Sequence, residues 1–422
     1  MIRRTLRLCA LLCLLLGSLA LLPMAASAAR GWSGDGPQTA YQEGTVPGTV
    51  PTATPTHKPK PTKPPKPKPT ATAVPHPTSA PAAPSSDRVA GYATVGGDKL
   101  EKVIGDRLSP VIYGFTASDR LYWSPDDGLR WRYATTRPAF EEFIMSSAEP
   151  AVLYSGAGID CTVADQTPAS FVRSDFRGTR WEELPRAVDL VPYLVDPADP
   201  YRLFAADCEL PFFSGDGGET WIARPDSRAT SPWFTFRVKD MVAASLIESG
   251  AGADAAPGWH ILYAGGALDS GNSVIAYSED EGATWTTMTP TDGSGLIGLR
   301  VLEADPYVAG RLWAADAQGV WYTEDFGTNW LLISEGLERV VSVRGRASLG
   351  DITDLAYAPA TGQLFLASTW GLYVLAPGET VWQPISDQLF SGGTVNSLMI
   401  TESNPSVLWV NARDGAYRYR IR

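Results

Sequence analysis

Histidine is nearly absent from this chain: 422 residues contain three, and His57 and His76 lie in a proline-rich stretch near the N-terminus. Only His260 is left for the rest of the chain, which nearly excludes a histidine-rich metal centre or a Ser-His-Asp triad there. Lysine is equally scarce beyond residue 86, where only Lys99, Lys102 and Lys239 occur. Residues 1–86 hold nine Lys/Arg and two Asp/Glu, whereas the following 336 residues hold 26 and 44, a net of −18. A body so acidic is repelled by nucleic acid, and no basic cluster in it is dense enough to overturn that. Long apolar runs are confined to the N-terminus, and nothing later reads as a long amphipathic helix. Of four cysteines, Cys9 and Cys13 lie inside that first apolar run, so Cys161 and Cys208 alone are left for the body.

The N-terminal segment has the order of an export signal. Arg3, Arg4 and Arg7 precede an apolar run from about Leu8 to Leu22, followed by Ala26-Ser27-Ala28. That order predicts a signal peptide over residues 1–28; an uncleaved N-terminal anchor is the alternative. Residues 29–86 read as a linker, dense in Pro, Thr, Ala and Lys from residue 45 onward. Proline at this density supports neither helix nor sheet, so the expectation is a semi-extended spacer stiffened by repulsion among Lys58, Lys60, Lys63, Lys66 and Lys68. Such a spacer serves as a stalk, or as a basic strip against anionic wall polymers.

From residue 87 onward one octet recurs: Ser or Thr, any, Asp, any, Gly, two residues, Trp. Full copies carry Ser124, Asp126, Gly128 and Trp131; Ser214, Asp216, Gly218 and Trp221; Ser278, Asp280, Gly282 and Trp285; and Thr323, Asp325, Gly327 and Trp330. A worn copy keeps Ser174, Gly178 and Trp181 but has Phe176 in place of Asp, and "LAPGETVW" keeps only Trp382. Each octet follows a short aromatic strand and is preceded, further upstream, by more apolar strands such as "VIYGFTA", "ILYAGGA" and "VLWVNA". Ser, Thr and Asp side chains bond the backbone of their own turn, Gly supplies positive φ, and Trp starts the next strand. The octet is therefore a hairpin signature joining the last two strands of a four-stranded unit. Seven such units predict an all-β fold, a single propeller over 87–422; six blades with irregular ends is the alternative. The last unit ends at its third strand, so Val89 to Gly97 is expected to supply a fourth and close the ring with strands from both termini.

In such a blade the turns between the second and third strands lie on the face opposite the octets, where ligands of propellers commonly bind. These turns carry Asp119 with Arg120, Asp160, Asp207 with Glu209, Asp269, Asp316 with Gln318, Trp370, and Arg413 with Asp414. Acidic residues are ordinary turn formers, but together they also make a mouth suited to a cation, a polyamine or a basic segment of a partner. Any pair of Asp160, Asp207, Glu209 and Asp269 could furnish the two carboxylates of a glycoside hydrolase. Trp370, with Trp233 and Phe234, could stack on sugar rings, or all three could be wedged between blades. His260, beside Trp259, reads as packed or surface-exposed. No metal or cofactor site is expected.

The octets resemble the Asp-box repeats, also called bacterial neuraminidase repeats, of sialidases, sortilin-type receptors, xyloglucan-degrading glycosidases and photosystem II assembly factors. The resemblance covers nearly all of residues 100–422 and speaks for fold more than function. The Arg-Ile-Pro motif of sialidases is missing, so none of their catalytic residues is carried over. Xyloglucanases of this kind use two propellers, and there is room for one; sortilin-type propellers have more blades and Cys-rich additions. Assembly factors match best in size and blade number, although their Arg-rich patch has only a faint echo in Arg344 and Arg346. What the resemblance implies is a binding or scaffold propeller rather than an enzyme; with the export signal, the expectation is a monomeric, secreted or surface-displayed propeller that binds a protein or glycan. The alternatives are a secreted glycoside hydrolase or an assembly factor for a membrane complex.

Cys161 and Cys208 follow equivalent strands of consecutive units, which puts them on one face and predicts a disulfide in an oxidising compartment. Mass mapping of the exported protein is expected to find these two residues in one cross-linked peptide; two free thiols would refute the pairing.

Overall fold

The computed structural model describes residues 93–421, apart from 137–138, 141, 157–169, 185–188, 208–209, 225–235, 245–257, 269–272, 289–295, 297, 338–340, 343–345, 348–351, 386–392 and 403–405. Seven antiparallel sheets follow one another along the chain as the blades of a propeller, and every regular element among the described residues is a strand. This sets the six-bladed alternative aside. The first strands form the wall of the central channel: Asp98–Gly105, Ile144–Met145, Val191–Asp196, Phe236–Ala244, Val301–Ala304, Ile352–Ala358 and Val395–Thr401. Blades 2 to 6 have four strands each, and a separate short hairpin, Val341–Ser342 with Arg346–Ala347, precedes blade 6.

Second strands are the most buried elements because each is covered by a blade on both sides. Leu312–Asp316, Gln363–Ser368 and Val407–Ala412 are buried along their whole length. Each second strand places an aromatic ring after an aliphatic residue: Tyr113, Tyr154, Phe204, Tyr263, Trp313, Phe365 and Trp409. These rings reach the following blade. The Tyr113 hydroxyl donates to the Pro150 carbonyl at 2.5 Å, that of Tyr154 donates to Pro200 at 2.8 Å, and that of Tyr263 accepts from the Gly310 amide at 2.8 Å. Trp409 of blade 7 meets Trp131 of blade 1 edge to face, with centroids 6.2 Å apart.

The octets fold as their chemistry requires. In blade 3 the buried Ser214 hydroxyl donates to Asp216 at 2.9 Å and accepts the Gly218 amide at 2.8 Å. Asp216 in turn accepts the Thr220 amide and hydroxyl at 2.9 and 2.6 Å. Blade 4 repeats this with Ser278, Asp280, Gly282 and Thr284, and blade 5 with Thr323, Asp325, Gly327 and Asn329. Burial opposes ionisation of Asp216, Asp280 and Asp325, yet these donors hold each carboxyl below the usual carboxylate range. The worn copy keeps the Ser174 bond to Gly178 at 3.0 Å; Thr179 now closes the turn by donating to the Phe176 carbonyl at 2.7 Å.

A further feature of the octet is its fourth residue, which adopts positive φ in all five copies: Asp127 at 60°, Arg177 at 57°, Gly217 at 74°, Glu281 at 57° and Phe326 at 56°. That backbone turns the residue toward the preceding blade, where each is gripped differently. Asp127 accepts from the Thr401 hydroxyl and, through its carbonyl, from Arg418. Arg177 lies over the Trp123 ring at 4.2 Å, and the Gly217 carbonyl accepts from Arg173 at 3.1 Å. Glu281 is paired with Arg202, and Phe326 with Tyr277 at 4.8 Å between ring centroids. The fourth residue thus seals junctions 7–1, 1–2, 2–3, 3–4 and 4–5.

Blade 7 has three described strands, ending at Gly415–Arg420. The segment expected to complete it is described from Ala93 onward, and its strand Thr94–Val95 pairs with Asp98–Lys99 in blade 1. The Ala93 amide donates to the Ala416 carbonyl of blade 7 at 2.8 Å, and Val95 packs with Val407, Trp409 and Ala416.

Replacing the buried Ser278 by Ala removes the acceptor of Gly282 and the donor to Asp280. The expected cost is about 1–3 kcal/mol of unfolding free energy, read as a lower urea midpoint with unchanged slope.

Candidate functional site

The turns on the face away from the octets are engaged in making themselves. Asp207 accepts the Leu210 amide at 2.7 Å, and buried Asp316 accepts those of Gln318 and Gly319 at 2.7 and 3.2 Å. Asp414 accepts from the Tyr417 hydroxyl at 2.6 Å, Asp119 is in the left-handed region at φ 54°, and Arg120 is paired with Asp98 at 3.2 Å. Arg413 is exposed, as is Trp370, whose amide caps on Ser368. Asp160, Glu209 and Asp269 lie outside the described residues, as do Cys161, Cys208, Trp233, Phe234 and Arg344. His260 is half-buried, with its amide on Ala244. Among the described residues, no group of three metal-ligating side chains converges.

The channel wall holds carboxylates that bond across blade junctions. Asp240 of blade 4 accepts the Leu302 amide of blade 5 at 2.8 Å, and Asp354 of blade 6 accepts the Leu398 amide of blade 7 at 2.7 Å. Each also accepts the amide of its own next residue, Met241 or Leu355. Both carboxylates follow a bulge in their strand, which turns them along the wall toward the neighbour. Blade 7 carries Ser397 at the matching position, and Asn411 takes over, exchanging two hydrogen bonds with Val103 of blade 1. Desolvation pushes the Asp240 carboxyl up to about 7 and that of Asp354 up to about 8, with neighbouring carboxylates adding to both.

At the octet-side mouth Arg107 of blade 1 reaches across the channel. It is paired with Glu303 of blade 5, and Glu402 of blade 7 lies 3.8 Å away. Glu303 also accepts the Tyr357 amide at 2.8 Å, which links blade 5 to blade 6. Beside this plug is a cavity of about 170 Å³ bounded by Leu194, Pro197, Val242 and Trp259. Sequence reasoning missed this cluster because Arg107 and Glu303 are 196 residues apart and no repeat links them.

Two larger cavities open on the same face, over blades 5 to 7. One of about 760 Å³ is lined by Asp305, Tyr307, Arg311, Tyr357, Pro359 and Glu402, among others. The second, about 500 Å³, shares Arg311 and Tyr357 and continues past Trp313, Tyr322, Leu331 and Pro377. The position of the second follows from the worn sixth octet. Its fourth residue is Gly378, which keeps positive φ at 76° but has no side chain to reach blade 5, and a Cβ there would meet nothing within 4 Å. Trp382 alone still inserts, donating to the Ile333 carbonyl at 2.8 Å. Junction 5–6 is therefore held at depth and open at its rim. Its floor is a rigid aromatic ridge in which Trp313 lies 5.5 Å from Tyr322 and 4.5 Å from Tyr357 between centroids. Asp305 accepts from Arg311 at 2.9 Å and from the Tyr307 amide at 2.9 Å, and the Tyr307 hydroxyl donates to Glu402 at 2.8 Å.

No family model and no curated protein matches the sequence. Among solved structures the chain is similar to the GH74 xyloglucanase from Xanthomonas campestris, with TM-score 0.51 and 16% identity over 78% of this chain and 52% of that one. It thus spans about half of that enzyme. It is also similar to YCF48 bound to D1 peptide, with TM-score 0.47 and 15% identity over 77% of this chain and 92% of that chain. A third is PorZ, a surface component of the type-IX secretion system of Porphyromonas gingivalis, with TM-score 0.44 and 16% identity over 74% of this chain and 49% of that one. At these identities the likeness speaks for the propeller fold alone.

The channel carboxylates set a pH dependence. A carboxyl whose folded pKa lies above its unfolded value of 3.8 contributes stability that is full below that value and lost as pH rises through the folded pKa. The thermal midpoint is therefore expected to fall between pH 4 and pH 8 and then level off. Asp354→Asn, which cannot ionise, should flatten that fall while lowering the midpoint at acid pH, because its amide nitrogen faces a backbone donor; scanning calorimetry across the range checks both.

Proposed function

We propose that this chain is an exported, non-catalytic propeller that captures a protein or glycan at the cell surface through the groove over blades 5 to 7. The first 28 residues act as the export signal and residues 29–86 as the spacer that holds the propeller away from its anchor point. The observation that carries the reading is the state of the groove's charges. Asp305 is committed to Arg311 and an amide, and Glu402 to Tyr307, beside exposed aromatic and aliphatic surface. Glycoside hydrolysis needs one carboxyl free to deliver a proton and another free to attack or activate water. With the carboxyls of Asp305 and Glu402 engaged in this way, the centre of the groove favours holding a ligand over transforming one.

The opposite face adds a second contact region through exposed Trp370, Asp414 and Arg413. Its other acidic tips, Asp207 and Asp316, hydrogen-bond their own turns, which weakens the case for a cation or polyamine mouth there. The reading requires no cofactor or metal, and a monomer suffices for it.

The purified mature chain should light up discrete features on a glycan and surface-protein array and leave fluorogenic sialosides and β-glucans intact. Turnover of any of these substrates would overturn the non-catalytic assignment.

A further inference from the structure

The chemistry of the open junction points to one kind of occupant. Arg311 is the sole basic side chain among the described residues lining the two large cavities, and it is already paired with Asp305. Glu379 is exposed at the rim of the second cavity, Glu324 is exposed beside Tyr322 and 4.0 Å from Arg311, and Glu402 lies at the channel end. The Tyr322 hydroxyl donates to Glu324 at 2.8 Å, which holds ring and carboxylate together at the groove edge. Between these charges the surface is aromatic and aliphatic: Tyr307 is 45% exposed and Leu331 53%, above the buried Trp313–Tyr357 ridge. Pro359 and Pro377 add rigid walls.

An uncharged glycan would leave the exposed negative charge of Glu324 and Glu379 uncompensated, and an acidic one is repelled by it. A globular partner would need a broad flat face, whereas this surface is a groove between two blades. An extended peptide fits better. A polyproline II segment carries its cost of ordering in advance, presents proline rings that lie flat on tyrosine and tryptophan, and places every third side chain along one edge. Lysines on that edge would reach the rim carboxylates and lie over aromatic faces.

We propose that the groove over junction 5–6 takes an extended, proline- and lysine-bearing segment of a partner protein, with prolines against Tyr307, Tyr322 and Leu331 and lysines toward Glu324, Glu379 and Glu402. This rests on the binding role proposed above and names the partner class for that site. Its structural basis is independent of ligand chemistry: the groove opens where Gly378, the fourth residue of the sixth octet, has no side chain and a Cβ would meet nothing within 4 Å.

Fluorescence anisotropy with a labelled peptide of alternating proline and lysine tests it on the full mature chain in which Lys58, Lys60, Lys63, Lys66 and Lys68 are changed to Gln, so that the chain's own proline- and lysine-rich segment does not compete. Saturable binding is expected, weakening as salt rises from about 50 to about 200 mM. Glu324→Gln with Glu379→Gln, and separately Tyr322→Ala, should each weaken binding at least about tenfold. Ile222→Ala, on the outer strand of blade 3, should leave it unchanged. The Gln variants should melt with the parent, since both residues are exposed. Absence of saturable binding, equal binding of a proline–glutamate peptide, or indifference to the groove variants overturns the proposal. If the lysine peptide fails while a neutral β-glucan oligosaccharide binds, the peptide assignment falls and the binding role stands; turnover of that oligosaccharide removes both.

Discussion

A ring of separate sheets holds together only where each blade is sealed against the next, because no backbone ladder is shared across a junction. Here the seal at the rim is one residue, the fourth of the octet, set in the left-handed region so that it faces backward. The hydroxyl–carboxylate–amide network of Ser278 and Asp280, and of its counterparts around Asp127 and Phe326, fixes the turn tightly enough to hold that strained backbone. Positive φ in a non-glycine residue costs free energy, and it persists only where the surroundings over-determine it. The network supplies that constraint. The octet therefore has two outputs, a closed hairpin within its own blade and a contact with the blade before it.

Along the channel the same task falls to carboxylates. Asp240 and Asp354 bond the amides of the following blade, Asn411 closes blade 7 onto blade 1, and Glu303 joins blade 6 while also holding Arg107. Rim and channel seals run in opposite directions around the ring, one reaching back and the other forward. Where the rim seal is missing, at Gly378, the channel-side bonds and Trp382 still hold junction 5–6. That allows a groove at the surface without separation of the blades beneath it.

The hairpins and the blade number were legible in the sequence because their chemistry is local. Ser278, Asp280 and Gly282 act on one another within a single turn, so their spacing is constrained and repeats. The sealing residue left no such trace. Asp127, Arg177, Gly217, Glu281 and Phe326 share a conformation and a direction, but each meets a different partner, so side-chain identity varies freely. The plug at the channel mouth was hidden for another reason, since Arg107 and Glu303 meet only after four blades have been wound between them. The acidic turn tips carried two readings, turn former and ligand group. Asp207 and Asp316 were candidates for a ligand on account of their charge, and the structure shows each capping its own turn. The worn octet "LAPGETVW" was visible as a remnant, yet a lost motif does not announce a cavity until the neighbouring blade is in place.

The large acidic surplus of the propeller acquires a different meaning in this light. A net of −18 suggests a surface prepared for cations, but a substantial part of it is structural. Asp126, Asp216, Asp280 and Asp325 accept amides in octets, Asp240 and Asp354 accept them across junctions, and Asp196 and Asp305 hold arginines against the strands that follow them. In a fold made of short strands and many turns, aspartate is the side chain whose reach matches the unpaired amides at strand ends. Part of this acidic complement is therefore spent inside the scaffold. What counts toward a partner is the remainder that stands exposed beside apolar surface, and in the described residues Glu379 at the rim of the unsealed junction and Glu324 beside Tyr322 meet that condition.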